Sequence, residues 1–376
     1  MMRLDRMGAA LVLAAGLAIL PACAGEDQVA QGEIVKGGDD RTGGYTADEN
    51  WWKPAPDHDE EWEWGQVSGM AADTPDRIVV AVWGDRNADG EERPNSSNYM
   101  VVVDGNGDII ERWTQWDTML NTPHQVYISP YDPERHIWVV ERGGGVDDIH
   151  EQIIKFTNDG SEIVLRLLDP NPRQSGEEAR ANTSPGPLDF GQAAVMTFLP
   201  NGDFLVGDGY QNGRIARYNA EGELVSEFGS VGSGPGQFDL IHGIAVDRDR
   251  HIYVADRNNN RIQVFTEDGE FIEEWPEVTD PVGIFTDEND AVWVVSAAVN
   301  RILRYSLDGE LQYHWGAGRG YGGGFPGGLG RPHQMDVDQD GNVYIASWEG
   351  GWLGKFVPKP GADPIKLVGR GLVLAD

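Results

Sequence analysis

From His242 to Trp275 the chain reads as four short hydrophobic runs: His242 to Asp247, Ile252 to Asp256, Arg261 to Phe265 and Phe271 to Trp275. Turn residues such as Asp249-Arg250 and Asp268-Gly269 separate them. Apolar or alternating runs of this length, bounded by turn chemistry, predict strands joined by tight turns. The same order returns from Val282 to Trp315 and from Ala194 to Phe228, each with an Asp-Gly or Glu-Gly pair before its last run. It returns more loosely from Ser68 to Trp113, His124 to Leu167 and His333 to Val368. Six such units, with no long amphipathic helix between them, predict an all-β fold, a closed six-bladed β-propeller over residues 62–376.

The single units resemble NHL repeats, in which a third strand like Asn260-Arg261-Ile262-Gln263-Val264-Phe265 is typical. Ahead of the repeats the pattern changes twice. Arg3 and Arg6 precede an apolar stretch from Gly8 to Leu20, too short to remain as a membrane span, and Leu20-Pro21-Ala22-Cys23 closes it. This resembles a bacterial lipobox, so residues 1–23 are expected to be a lipoprotein signal peptide. Cys23, the only cysteine, would then become the lipid anchor to the membrane. The expected location is the cell envelope, on the periplasmic face of the outer membrane. Residues 24–61 are rich in Gly, Asp and Glu and are expected to form an acidic flexible tether.

Composition narrows the partners. Sixty-two Asp and Glu against twenty-nine Lys and Arg give a formal net charge of −33. Such a surface repels phosphate backbones, which argues against a nucleic-acid partner. One cysteine allows no internal disulfide.

Aligning the six units on their second strands places Ser68, His124, Ala194, His242, Val282 and His333 at one equivalent position, the start of the first strand. In a propeller that strand lines the central channel, so histidines on alternate blades converge on one axis. Three neutral imidazoles with an open fourth position suit a catalytic zinc ion. His124, His242 and His333 are therefore the candidate metal ligands. His58, His136, His150, His251 and His314 share no register and are expected at the surface.

The same topology hangs the loops between second and third strands over the trio. They carry Asp85-Arg86, Glu141-Arg142, Asp208-Gly209-Tyr210 and Asp256-Arg257. Trp113, Trp275 and Trp315 fall at blade ends, where large rings fill the space between sheets. Trp51, Trp52, Trp62 and Trp64 precede the first blade and are expected to dock it. Trp83 and Trp348 fall on loops over the site. The glycine-rich stretch 316–330 lacks the Lys-Ser/Thr of a phosphate loop and reads as a lip beside the sixth blade.

These residues together resemble the lyase domain of the peptidylglycine α-amidating enzymes, the peptidyl-α-hydroxyglycine α-amidating lyases, over Gly65 to Phe356. The resemblance rests on Gly65-Gln66-Val67-Ser68-Gly69, Pro123-His124, Gly207 to Ile215, Pro235-Gly236-Gln237-Phe238, Ile241-His242, Ala255-Asp256-Arg257 and Pro332-His333. It implies a zinc lyase that cleaves a peptidyl-α-hydroxyglycine, or a related carbinolamide, into an amide and glyoxylate. It further implies Tyr210 as general base and Arg257 as the group that binds the substrate carboxylate. Three positions depart from the family. Trp83 replaces an arginine before the Gly-Asp of the first blade, for which Arg86 is the candidate substitute. Arg331 replaces a methionine. Gln334 replaces the aspartate through which the family holds a structural calcium, which counts against calcium here. The alternative is a non-catalytic NHL propeller that binds a protein or saccharide partner through the same funnel, since repeat folds host many functions. A calcium-dependent lactonase is a third, for which carboxylate and amide oxygens, not imidazoles, would be needed. The oligomeric state is not legible.

Overall fold

The computed structural model describes residues 40–87, 91–92, 96–143, 150–170, 185–316 and 328–374. The expected signal peptide with Cys23, the first part of the expected tether, and residues 317–327 of the glycine-rich lip lie outside these residues.

Apolar repeats become six antiparallel four-stranded sheets. The first blade is Val67–Thr74, Arg77–Val82, Met100–Val103 and Ile109–Arg112. The second, third, fourth and fifth blades begin at Pro123, Val195, Ile241 and Pro281 and end at Leu168, Phe228, Trp275 and Trp315. Within each, the first strand is innermost and the fourth outermost. Second strands are buried on both faces and so are almost continuously apolar, as in Arg77-Ile78-Val79-Val80-Ala81-Val82. Outer strands such as Phe271–Trp275 are largely exposed and carry charge, which blunts a sheet edge against pairing with another chain.

Large rings join neighbouring blades as expected. Trp113 packs on Phe156 of the second blade, Trp275 stacks on Tyr305 of the fifth, and Trp315 meets Phe356 of the sixth. Against each such ring lies a hairpin glycine of the next blade, where a Cβ would collide. At Gly160 it would stand 2.1 Å from Trp113, and at Gly309 2.4 Å from the Trp275 ring. Both glycines have positive φ, so the turn needs glycine for conformation as well as for space.

The sixth blade corrects the sequence reading. It was expected to run from His333 to Val368, but that segment supplies only Pro332–Val337, Val343–Ser347 and Trp352–Pro358. The fourth strand is Tyr45–Ala47, antiparallel to Trp352–Pro358 in the register Tyr45 to Pro358 and Ala47 to Phe356. Gly43 sits against Trp315 as the hairpin glycines sit against the other blade-end rings. The N-terminal segment thus closes the ring. The expectation of a flexible tether to residue 61 is corrected for residues 40–61, because Tyr45 and Trp51 are fully buried. Gly and Asp in that segment serve turns around two anchoring aromatics, so low mean hydropathy hid an integral strand.

Candidate metal centre

Each histidine of the trio starts the inner strand of its blade, and all three are buried. Their ligand nitrogens lie within 4.8 Å of one another, and ring centroids are separated by 4.7 to 4.9 Å. The residues at the same position of the intervening blades orient the rings. His124 Nδ1 donates to Ala194 O at 2.7 Å, His242 Nδ1 to Val282 O at 2.7 Å, and His333 Nδ1 to Ser68 O at 2.6 Å. Those carbonyls fix the Nδ1–H tautomer, leaving every Nε2 lone pair on the axis. This is the usual bracing of metal-ligating imidazoles. Burial is the main reason that all three titrate below the ordinary imidazole value, His124 and His242 well below it and His333 lowered to about 4. The other imidazoles and the nearby Arg142 and Arg257 add to the effect at His124 and His242 respectively. Neutral imidazole at neutral pH is the ligating form. The trio can therefore hold a metal ion.

Four of the six chain segments that enter the inner strands bend sharply just before the axis. Gln192, Leu240, Asp280 and Arg331, each two residues before the axial position, have φ between +43° and +70°. Non-glycine residues adopt this left-handed region at a cost of about 1–2 kcal/mol each, so the surrounding blade must hold them there.

Buried carboxylates at the ends of three second strands set the loops above. Glu141 accepts from the N–H groups of Asn121, Thr122 and Gly143 at 3.1, 3.0 and 2.7 Å, which ties the Arg142 loop to the segment leading into His124. Asp208 accepts from Gly191 N, Asn212 Nδ2 and Arg214 Nε at 2.6, 2.7 and 3.0 Å, under the Tyr210 loop. Asp256 accepts from Asp239 N at 2.8 Å and Arg261 Nε at 2.8 Å, beside Arg257. In the fifth and sixth blades Ser296 and Ser347 take this place and donate to Thr279 O and Gly330 O. Burial pushes the Asp208, Asp256 and Glu141 carboxyls up, and their hydrogen bonds oppose it. The part played by Glu141 was not legible in the sequence, because Asn121 and Thr122 lie about twenty residues before it.

Tyr210 is the residue that reaches the trio. Its Oη lies 3.2 Å from His124 Nε2 and 3.2 Å from His242 Nε2. Gly209 permits this, since a Cβ there would stand 2.0 Å from Ile241 O, immediately before His242. Arg257 lines the same cavity, with its Nε donating to Asp280 Oδ1 at 2.6 Å. Arg331 and Trp348 line it too, the guanidinium stacked on the indole at 5.1 Å.

Arg86 is not brought to the site. It lies in the short strand Asp85–Asn87, paired with Trp62–Trp64, and faces Glu92 at 3.5 Å. Arg86 as the candidate substitute is thus corrected: the cavity is lined instead by Arg142, from the second blade, stacked 5.0 Å from the rings of both Trp83 and Tyr210. Two histidines expected at the surface are buried instead, His136 with Nδ1 hydrogen-bonded to Asp132 at 2.7 Å and His314 on an outer strand.

The calcium implied by resemblance does not fit the residues present. Gln334 Oε1 accepts from Met70 N at 3.1 Å and Val126 N at 3.3 Å, and its Nε2 donates to Val126 O at 2.8 Å. A neutral amide next to His333 in the chain therefore satisfies two donors and an acceptor of the first and second blades.

A family model described as the NHL repeat matches residues 238–265, the inner three strands of the fourth blade. The chain carries an NHL repeat within a six-bladed propeller. It is 27% identical over 194 residues to the human protein named NHL repeat-containing protein 3, across 48% of this chain and 53% of that one. It is 24% identical over 354 residues to the Drosophila melanogaster protein named peptidyl-alpha-hydroxyglycine alpha-amidating lyase 1, across 81% of this chain and 59% of that one. The chain thus spans little more than half the length of either relative. A solved streptogramin B lyase superposes with a TM-score of 0.51 at 17% identity, covering 79% of this chain and 97% of that one, a likeness of fold.

Proposed function

We propose that the protein is a zinc-dependent lyase that cleaves the C–N bond of a carbinolamide, such as a peptidyl-α-hydroxyglycine, to an amide and glyoxylate. The observation that carries this reading is three buried, carbonyl-braced imidazoles with a phenol oxygen 3.2 Å from two of their free nitrogens. A scaffold that only binds partners gains nothing from such a costly polar cluster. The relative named as an amidating lyase supports the same reaction class.

His124, His242 and His333 would hold the zinc through Nε2, and the donor set fits, being neutral, nitrogen-only and open on the side of Tyr210. A bound zinc ion supplies Lewis acidity toward a substrate hydroxyl. Tyr210, as the phenolate, would take the hydroxyl proton at Oη. As the hydroxyl oxygen becomes the carbonyl of glyoxylate, the C–N bond breaks and its electron pair goes to the amide nitrogen. That nitrogen receives a proton from Tyr210, which returns the residue to its starting state. Arg257, paired with Asp280, adds a fixed positive charge beside the developing oxyanion. We also propose that the chain is exported and lipid-anchored through Cys23; loss of membrane fractionation on Cys23→Ala would be the expected result.

The test is elemental analysis of the chain from residue 24 onward beside a His124/His242/His333→Ala variant, followed by assay of glyoxylate release from an α-hydroxyglycine peptide. One zinc per chain, absent from the variant, with glyoxylate released, is expected. A folded protein that takes up no zinc would defeat the mechanism and favour the binding propeller.

A further inference from the structure

Three guanidinium groups line the small cavity over the histidine trio, and their charges are not equivalent. Arg257 is ion-paired with Asp280 at 2.6 Å, and Arg331 with Glu349 at 3.0 Å. Arg142 has no carboxylate partner among the described residues, in a chain where acidic residues outnumber basic ones by about two to one. The neighbouring carboxylate, Glu141, is occupied by the N–H groups of Gly143 in its own loop and of Asn121 and Thr122 in the segment leading into His124. Arg142 Nε is buried without a hydrogen-bond partner.

The side chain is nevertheless held in place. Its guanidinium carbon stands 5.0 Å from the centroid of the Trp83 ring and 5.0 Å from that of Tyr210. Trp83 is itself pinned by donation from Nε1 to Pro123 O at 3.2 Å, next to His124. Stacking on two rings offsets part of the desolvation of a cation but supplies no counter-charge. A planar, half-buried, uncompensated guanidinium at the mouth of a site presents a fork that matches a carboxylate.

We infer that Arg142 is the carboxylate anchor of this site, and that the ligand is a small monoanion presenting its carboxylate to Arg142 and a second oxygen to the histidine trio. The inference rests on the lyase reading for that second oxygen only. It moves the anchoring role from Arg257, to which resemblance assigned it, to a residue on another blade. Arg257 then serves as a positioning charge, already committed to Asp280.

The test uses a pair of ligands that differ in the carboxylate alone, N-benzoylglycine and N-benzoylglycinamide, titrated calorimetrically into the zinc-loaded chain. Neither has the α-hydroxyl, so neither turns over. The unsubstituted protein should prefer the acid by about tenfold or more, the factor that a charge-assisted hydrogen bond supplies. Arg142→Gln should reduce the preference to about one, with an unchanged zinc content and urea midpoint as the control for folding; Arg142→Lys should restore part of it. The neutral replacement Arg257→Gln/Asp280→Asn should keep the preference. No preference in the unsubstituted protein, a preference that survives Arg142→Gln, or one lost only in the Arg257/Asp280 variant would each overturn the assignment. Glyoxylate release accompanied by any of those results would sink this inference alone. An Arg142-dependent preference in a protein that releases no glyoxylate would sink the lyase reading and leave the anchor standing.

Discussion

Closure of the ring by Tyr45–Ala47 makes a quantitative prediction about where the folded body begins. Tyr45 is fully buried, its ring packs on Trp315 at 5.7 Å, and its Oη accepts from Val368 N at 2.6 Å. Tyr45→Phe keeps the ring and strands one buried N–H, so it should cost about 1–3 kcal/mol. Tyr45→Ala also opens a cavity between the fifth and sixth blades and should cost about 3–5 kcal/mol. A chain starting at residue 62 loses Trp51 as well, whose ring packs on Tyr344 and whose Nε1 donates to Gly105 O. Two such losses together approach the whole stability of an ordinary domain, about 5–15 kcal/mol. That chain should be unfolded or aggregated, whereas one starting at residue 40 should fold. Urea denaturation followed by far-UV circular dichroism ranks the four chains. A chain from residue 62 with the same midpoint as the chain from residue 40 would show that the N-terminal strand does not close the propeller.

Other expectations concern the channel. Tyr210→Phe should lower glyoxylate release by about 10²- to 10⁴-fold, the usual yield of a general base, with zinc content unchanged. Gln334→Ala should cost about 1–3 kcal/mol for each backbone group of Met70 and Val126 left unpaired, and calcium should not raise the melting temperature of the unsubstituted chain. Burial raises the Asp336 carboxyl from the usual carboxylate range to about 6. The folded state then keeps this proton up to about pH 6 while the unfolded chain releases it near pH 4, so the Asp336 contribution to stability falls as pH rises between those values. Asp336→Asn should remove a loss on the order of 1–3 kcal/mol, read as the difference between variant and unsubstituted urea midpoints at pH 4.5 and pH 7.5.

The blades were legible because a blade is a local object. Its strands are consecutive, its turns carry Asp-Gly pairs, and its second strands are almost continuously apolar, so four runs and three turns describe it. Closure was not legible, because it pairs Tyr45 with Pro358 across almost the whole chain and three residues give no periodicity to read. Gly43 and Tyr45 did carry a signal, a turn glycine followed by a large aromatic, but one that only the hairpins of the other blades make intelligible. Burial of His136 and His314 was missed for a related reason. Asp132 lies four residues before His136 and satisfies it locally, so no axial register was needed to bring it inside.

The candidate site divides along the same line. His124, His242 and His333 were found because inner strands repeat, and whatever repeats can be aligned; even the carbonyl brace from Ser68, Ala194 and Val282 follows from that register. The loops above them do not repeat, and there the alignment of residues with roles broke down. Arg86 and Arg142 follow equivalent second strands, yet the short strand that contains Arg86 pairs with Trp62–Trp64 and leads it away, while Glu141 ties the loop of Arg142 to the segment leading into His124. Trp83 then reads differently from a lost arginine. An indole fixed to Pro123 O is the shelf on which Arg142 lies, so the aromatic and the displaced cation form one arrangement. Trp83→Ala should therefore weaken binding of N-benzoylglycine more than that of its amide, although Trp83 has no charge of its own to offer a carboxylate. If the two ligands weakened equally, the ring would be only a wall of the pocket.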